Sequence, residues 1–306
     1  MSNFLQILPT LLLVSLALVM FGLGLSLTVP DFRRLAKHPK AVAIALGLQE
    51  LLLPAACYAI ILAFRLPPIF AVGLMLLATS PGGVSANLFS HLFGGNVAMN
   101  ISLTAINTVL SILSLPLIAN WAIATFANTG QIVPLQFGKL IEVVAVVLVP
   151  VAIGMAVAAR GPGFARRTEK PFKIFSALVL ATFALIAIVK EWEALRASLA
   201  SVGPAVLLFN LTSLLAGYYL SRAAGMDRSL STAICFEIGI HNATLSLFIA
   251  LSVLNNSQLA LPSALYSVTM YITATLFGML VLRPGRTNQV GRERWRTWSR
   301  PRRPAR

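Results

Sequence analysis

The chain has 306 residues, of which 58% are hydrophobic and 11% charged, with a mean hydropathy of +0.84. Soluble domains use about 45–50% apolar residues, so the composition excludes a soluble globular protein and points to a polytopic membrane protein. The net charge of +15 is gathered in the breaks between apolar runs and in the tail, which fits membrane topology and anionic lipid rather than nucleic acid.

The N-terminal "MSN" has no basic residue, and the run from Phe4 to Pro30 carries no charge. That run exceeds a signal h-region of about 7–15 residues and is long enough to span, so a membrane helix is expected there rather than a cleaved leader. Continuing along the chain, apolar runs predict nine spans near 5–28, 41–64, 69–92, 97–125, 138–159, 172–189, 203–221, 229–252 and 262–282. All are expected to be helices, because an open strand edge cannot be left in lipid. Cys57 and Cys235 lie inside apolar runs and read as small core packers, not a disulfide or a metal pair.

The second span carries Gln49 and Glu50 at membrane depth. The third is interrupted by Ser80-Pro81-Gly82-Gly83, where a missing donor and weak helix formers predict unwinding. Ser85 and Asn87 follow that break. The fourth span brings Asn100, Ser102, Thr104 and Asn107, with Asn100 and Thr104 on one face at i and i+4. The eighth span, "STAICFEIGIHNATLSLFIAL", carries Glu237, His241 and Asn242 at its centre. The last segment, 284–306, has three prolines and no apolar period, and is expected to be a disordered basic tail against the headgroups.

Loops on one side, with the tail, hold twenty Lys and Arg, against only Arg65, Lys190 and Arg196 in the opposite loops. The positive-inside rule therefore places the N-terminus outside and the C-terminus inside, which requires an odd number of spans. The two interrupted spans are five helices apart. That odd offset puts them in opposite orientation, as an inverted-topology repeat with two broken, crossing helices requires.

A carboxylate at mid-span costs about 2.5–3.5 kcal/mol on insertion scales and marks function by default. Carboxylate, amide and hydroxyl oxygens with unwound backbone carbonyls suit a hard monovalent cation. Half-helix N-termini near Val84 and His241 would offer N–H groups and a positive dipole end to an anion. Both sites at one crossover make the layout of a cation-coupled anion symporter. Taken singly, Asn100, Ser102 and Asn107 also have the ordinary role of interhelical glue.

The motifs "MFGLGLSL" (20–27), "HPKAVAIALGLQELLLP" (38–54), "SPGGVSANLFSHLFGGNVAMNISLT" (80–104) and "FEIGIHNATLSL" (236–247) occur in an order and spacing that resembles the bile acid:sodium symporter family. The resemblance covers essentially the first 283 residues. It implies one transporter domain, 1–283, in a nine-helix form, with a panel of spans 1, 5 and 6 moving against a core of spans 2, 3, 4, 7, 8 and 9. It implies up to two transported sodium ions. The first would be held by Asn87, Asn100, Thr104 and Glu237, the second by Gln49, Glu237, His241 and the carbonyls of Ile238 and Ile240. Val84, Ser85 and Asn242 are the residues expected to hold the organic anion.

Relative to that family the chain has Ala86 before Asn87 where a Ser is usual, Asn100 for a Ser, Val84 at an often polar position, and His241 for a Gln. Imidazole offers nitrogen rather than oxygen to a hard cation and titrates near neutral pH. The main expectation is sodium-coupled symport of a small carboxylate or bile-acid-like anion in a bacterial inner membrane. The alternative is proton coupling through His241 and Glu237. A membrane-embedded enzyme using the same two residues is the remote reading, since no metalloprotease or nucleophile-elbow motif accompanies them. Beyond the anion and the lipid bilayer, no nucleic acid and no obligate protein partner is implied.

Overall fold

A computed structural model of the chain describes residues 2–126 and 137–282. The basic tail expected over 284–306 lies outside the described residues. Those residues form helices joined by short turns, with no strand among them. In chain order they are α1 (Ser2–Ser26), α2 (Val29–Leu35), α3 (Pro39–Phe64), α4 (Pro68–Ala78), α5 (Val84–Leu92) and α6 (Val97–Phe126). There follow α7 (Phe137–Arg160), α8 (Pro162–Lys190), α9 (Trp192–Ala223), α10 (Arg228–Gly239), α11 (Ala243–Val253) and α12 (Gln258–Leu282).

Each expected span falls on helix, and the third and eighth fall on the half-helix pairs α4/α5 and α10/α11. By length and apolarity alone, three described helices can cross a membrane unaided: α3, α9 and α12. The number rises to five if two bent pairs are each taken as one span. The half-helices are too short to count singly, because the break expected at Pro81–Gly83 divides α4 from α5 and the one at Ile240–Asn242 divides α10 from α11.

Helix contacts sort the elements around the breaks. α1 packs along α7 and α8, while α10 packs against α5, α6 and α9, and α4 against α6 and α12. Lipid supplies no hydrophobic drive for helices to pair, so close packing must do so. Gly24 shows how: a β-carbon there would overlap the Val151 carbonyl of α7, and Gly154 meets Phe21 in the same way. Gly24→Ala should therefore push α1 off α7 and cost about 1–3 kcal/mol. A fall in thermal stability would register it. Gly47→Ala, in open space on α3, should instead leave stability unchanged or raise it by up to about 1 kcal/mol.

Cys57 and Cys235 are both free and buried, as the sequence implied. At the turn into α2, Asp31 receives hydrogen bonds from the Thr28 N–H and hydroxyl and pairs with Arg34, which also donates to the Ala98 carbonyl at 3.1 Å. This fastens α2 to the start of α6.

Candidate functional site

The two breaks meet. The Gly83 N–H donates to the Ile240 carbonyl at 2.6 Å and the Asn242 N–H to the Pro81 carbonyl at 2.8 Å, which makes a short antiparallel bridge between Gly82 and His241. Unwound backbone in a membrane needs every polar group answered, and the local sequence supplies the answers. At the end of α4, Thr79 Oγ1 donates to the Met75 and Leu76 carbonyls and Ser80 Oγ to that of Leu77. Gln49 Nε2 reaches across from α3 to the carbonyls of Ala78 (3.2 Å) and Ser80 (3.1 Å). At the end of α10, the Gly239 carbonyl receives Asn210 Nδ2 and Tyr266 Oη, each at 3.0 Å. Thr273 in turn donates to Asn210 Oδ1.

The second half-helix begins later than the sequence suggested. α11 starts at Ala243 rather than near His241, because the Asn242 side chain caps it by accepting from the Leu245 N–H at 3.1 Å. His241 itself belongs to the bridge.

Glu237 is completely buried on α10. Thr104 Oγ1 donates to its Oε2 at 2.6 Å and Asn107 Nδ2 to its Oε1 at 2.9 Å. Asn107 is among the polar residues collected from the fourth span, with interhelical glue as its ordinary role when taken singly, and is not assigned to either ion site. It sits three positions after Thr104 and so shares its helix face, a signal that could have found it. Asn100 lies one turn before Thr104, with Nδ2 on the Ala233 carbonyl at 2.7 Å. Asn87 is buried on α5.

Gln49 lies in a π turn of α3, Leu48–Leu52, and is buried, whereas the adjacent Glu50 is half-buried beside the exposed Leu51. The His241 ring stacks on Phe209 at 5.6 Å and packs against Tyr266 at 5.4 Å. Its Nδ1 faces the Ser80 carbonyl at 3.1 Å. A carbonyl only accepts, so Nδ1 carries the hydrogen, and in the neutral ring Nε2 then keeps a bare lone pair. The carbonyl of Ile240 is engaged by Gly83. That of Ile238 loses its helical partner, since the Asn242 N–H turns to Pro81.

One property unites these groups. Gln49 Oε1, Asn87 Oδ1, Asn100 Oδ1, Asn107 Oδ1 and His241 Nε2 are buried and accept no hydrogen bond within the protein. For Gln49, Asn100 and Asn107 the amide hydrogens are already committed to carbonyl or carboxylate oxygens. What remains is a surplus of lone pairs around an acid, and a cation resolves that surplus. No cluster of three or more His, Cys, Asp and Glu that could hold a metal is found among the described residues; the unanswered acceptors are four amide oxygens and one imidazole nitrogen. Among the described residues the side chains of Glu237 and His241 form no ion pair; the salt bridge found there is Arg34–Asp31.

On the other side of the bridge lies a small cleft, walled by Val19 of α1 and by Met270 and Tyr271 of α12. Val84, Ser85 and Asn242, the three residues expected at the anion, all line it, together with Thr244. Ser85 Oγ and Tyr271 Oη are 3.1 Å apart. Asn242 uses its oxygen as the cap, which leaves its amide N–H groups for the cleft. No lysine or arginine is among the lining residues, so a negative ligand would be held by helix N-termini and neutral donors.

A profile described as the Sodium Bile acid symporter family matches residues 13–198. A probable sodium/metabolite cotransporter, the chloroplastic BASS2 of Oryza sativa subsp. japonica, is 30% identical over 258 residues, covering 84% of this chain and 60% of the plant protein. An uncharacterized sodium-dependent transporter of Bacillus subtilis, YocS, is 27% identical over 280 residues, 91% of this chain and 85% of that one. The human ileal sodium/bile acid cotransporter is 26% identical over 241 residues, 78% and 68% of the respective lengths. The chain spans less than two thirds of the length of the chloroplastic relatives, 60% of the rice BASS2 protein and 65% of the Arabidopsis thaliana BASS1 protein.

Proposed function

The chain belongs to the sodium bile acid symporter family, and from that premise we propose that it carries an organic anion across the membrane by sodium-coupled symport. The supporting observation is the surplus of buried acceptors at the crossing breaks, set around a carboxylate whose two oxygens are each held by a donor from α6. In this reading sodium binds at Glu237 with Asn87, Asn100 and Thr104. A second ion would use Gln49, Glu237, the Ile238 and Ile240 carbonyls and His241, the last through a nitrogen rather than an oxygen.

The nine expected spans, N-terminus outside and C-terminus inside, form the frame. The inverted repeats bring the two breaks together at mid-membrane. The panel (α1, α7 and α8) rocks against the core to expose the cleft to either side in turn. Whether the anion is a small carboxylate or a wider, bile-acid-like one, its charge sits at Val84, Ser85 and Asn242 and its apolar body against Val19 and Met270. The location is a bacterial inner membrane. One net charge moving down 100 mV contributes about 2.3 kcal/mol, enough for about fifty-fold accumulation.

Purified protein in liposomes, with sodium and pH gradients imposed separately and a panel of carboxylates as substrates, tests the reading. Uptake should follow the sodium gradient and persist when the pH gradient is collapsed. Uptake indifferent to sodium would overturn it.

Asn242 allows the anion and cation roles to be separated. Asn242→Ser keeps an oxygen that can cap α11 but removes the amide donors from the cleft. A hydrogen bond to a charged group contributes about 1.5–3 kcal/mol, so the anion KM should rise by roughly tenfold or more. Sodium-dependent thermal stabilisation should be unchanged.

A further inference from the structure

Serine and threonine hydroxyls on α12 satisfy themselves on the turn before: Ser267, Thr269, Thr273 and Thr275 each donate to a carbonyl three or four residues back. Thr244 of α11 does not, and the backbone gives the reason. The two carbonyls within its reach already receive N–H groups, that of His241 from Ala243 at 2.9 Å and that of Ile240 from Gly83 at 2.6 Å. The residue is only 7% exposed, its side chain makes no hydrogen bond among the described residues, and it lines the cleft. A buried hydroxyl without a partner is costly, and the side left open to this one is the cleft.

Tyr271 of α12 brings a second hydroxyl to the same cleft, and its placement is fixed. Its ring stacks on that of Phe89 with centroids 6.1 Å apart, and its Oη lies 3.1 Å from Ser85 Oγ. Ser85 and Phe89 are one turn apart on α5, so the tyrosine lies along that face with its hydroxyl at the start of the half-helix. Two hydroxyls joined to each other hold two hydrogens and use one. Whichever of them donates, one O–H and spare lone pairs are left over.

The cleft thus holds two kinds of polar group. The Asn242 amide and the N–H groups that begin α5 and α11 only donate, which suits a carboxylate. The Ser85–Tyr271 pair and Thr244 both donate and accept, which suits a hydroxyl. With no lysine or arginine among the lining residues, a second carboxylate would find no opposite charge there.

We propose that the cleft selects hydroxylated monocarboxylates over their unhydroxylated parents, with Tyr271 as the residue that sets the preference. The carboxylate takes the donors of Asn242 and the helix starts, and the hydroxyl exchanges hydrogen bonds with the Ser85–Tyr271 pair and Thr244. An acid of the same skeleton without the hydroxyl would leave those groups covered and unanswered, and a site built to hydrogen-bond a hydroxyl rejects such an analogue. The preference rests on the reading of this cleft as the anion site.

Thermal stabilisation of the full chain in detergent and saturating sodium tests it. The probes are butyrate with 2-hydroxybutyrate and 3-hydroxybutyrate, hexanoate with 3-hydroxyhexanoate, and succinate. A hydroxylated acid should half-saturate the shift at a concentration about tenfold or more below that of its parent, and succinate should give no shift. Tyr271→Phe keeps the ring on Phe89 but removes the phenol and leaves Ser85 without the partner that orients it. The preference should then fall to about threefold or less, while the sodium-dependent shift is kept. Thr244→Val, of the same shape, should lower the preference on its own, and its ratio decides if Tyr271→Phe does not fold. A loosened structure would weaken hydroxylated and parent acids alike, whereas loss of a specificity group moves their ratio. Equal half-saturation by hydroxylated and parent acids in the wild-type chain would overturn the proposal, as would a ratio unchanged in Tyr271→Phe or a succinate shift as large as that of the hydroxylated acids. A wild-type chain that sodium stabilises and none of the acids does would overturn the assignment of the cleft to the anion, and the preference with it.

Discussion

Replacing Glu237 by Gln is expected to abolish sodium-coupled uptake, by a hundredfold or more, while the protein still folds. The substitution keeps shape and volume, and Thr104 Oγ1 can still donate to the remaining oxygen. The new amide would face Asn107 Nδ2, donor against donor, and a flip of the Asn107 amide relieves that conflict because its Oδ1 is unengaged. What cannot be replaced is the charge. Neutral oxygens alone offset only part of the cost of dehydrating a cation in a buried site. Sodium binding normally stabilises the folded state by RT ln(1 + [Na]/Kd), about 2.7 kcal/mol at a hundredfold excess over Kd. That increment should vanish in the variant, read as a melting temperature that no longer rises when sodium replaces choline. A variant that keeps the wild-type sodium increment would remove Glu237 from the ion site.

The parts of this site that were legible in the sequence are those whose chemistry is conspicuous in oil. An acid in mid-span, a Pro-Gly-Gly run and an Asn–Thr pair at i and i+4 need no tertiary information to stand out. The site's other members are ordinary residues in isolation. Tyr271 lines the cleft and meets Ser85, yet an aromatic residue in an apolar span reads equally well as core. Asn210 and Tyr266 cap the Gly239 carbonyl, a role that exists only once α9 and α12 are packed beside the break.

Gln49 illustrates a second kind of opacity. Its residue type suggested a ligand, but its burial, beside a half-buried Glu50, accompanies the π turn at Leu48–Leu52, and no residue pattern there announces that turn. π turns of this kind are frequent at functional sites. The start of α11 is set by Asn242, a favoured N-cap residue, and not by His241, which belongs to the bridge.

Gly82→Ala should produce a loss as complete as Glu237→Gln by a steric route. Gly82 does not need an unusual backbone angle; it needs the absence of a side chain. A β-carbon at that position would overlap both carboxyl oxygens of Glu237. Two responses are open. The Gly82–His241 bridge can move away, which lengthens the hydrogen bonds of Gly83 to Ile240 and Asn242 to Pro81 that align the two half-helices. Alternatively the carboxyl can swing aside, which costs its bonds to Thr104 and Asn107, each worth about 1.5–3 kcal/mol for a charged acceptor. The carboxyl is a terminal group on a side chain and the bridge is backbone tied at both ends, so the carboxyl should yield. Sodium-dependent stabilisation should then fall to the level of Glu237→Gln, and a tenfold or greater rise in the sodium concentration for half-maximal uptake would mark partial displacement. Gly47→Ala, where a β-carbon meets nothing within 4 Å, is the matched control and should keep the wild-type sodium response. If Gly82→Ala also keeps it, the carboxylate does not bind the ion in the orientation that Thr104 and Asn107 impose.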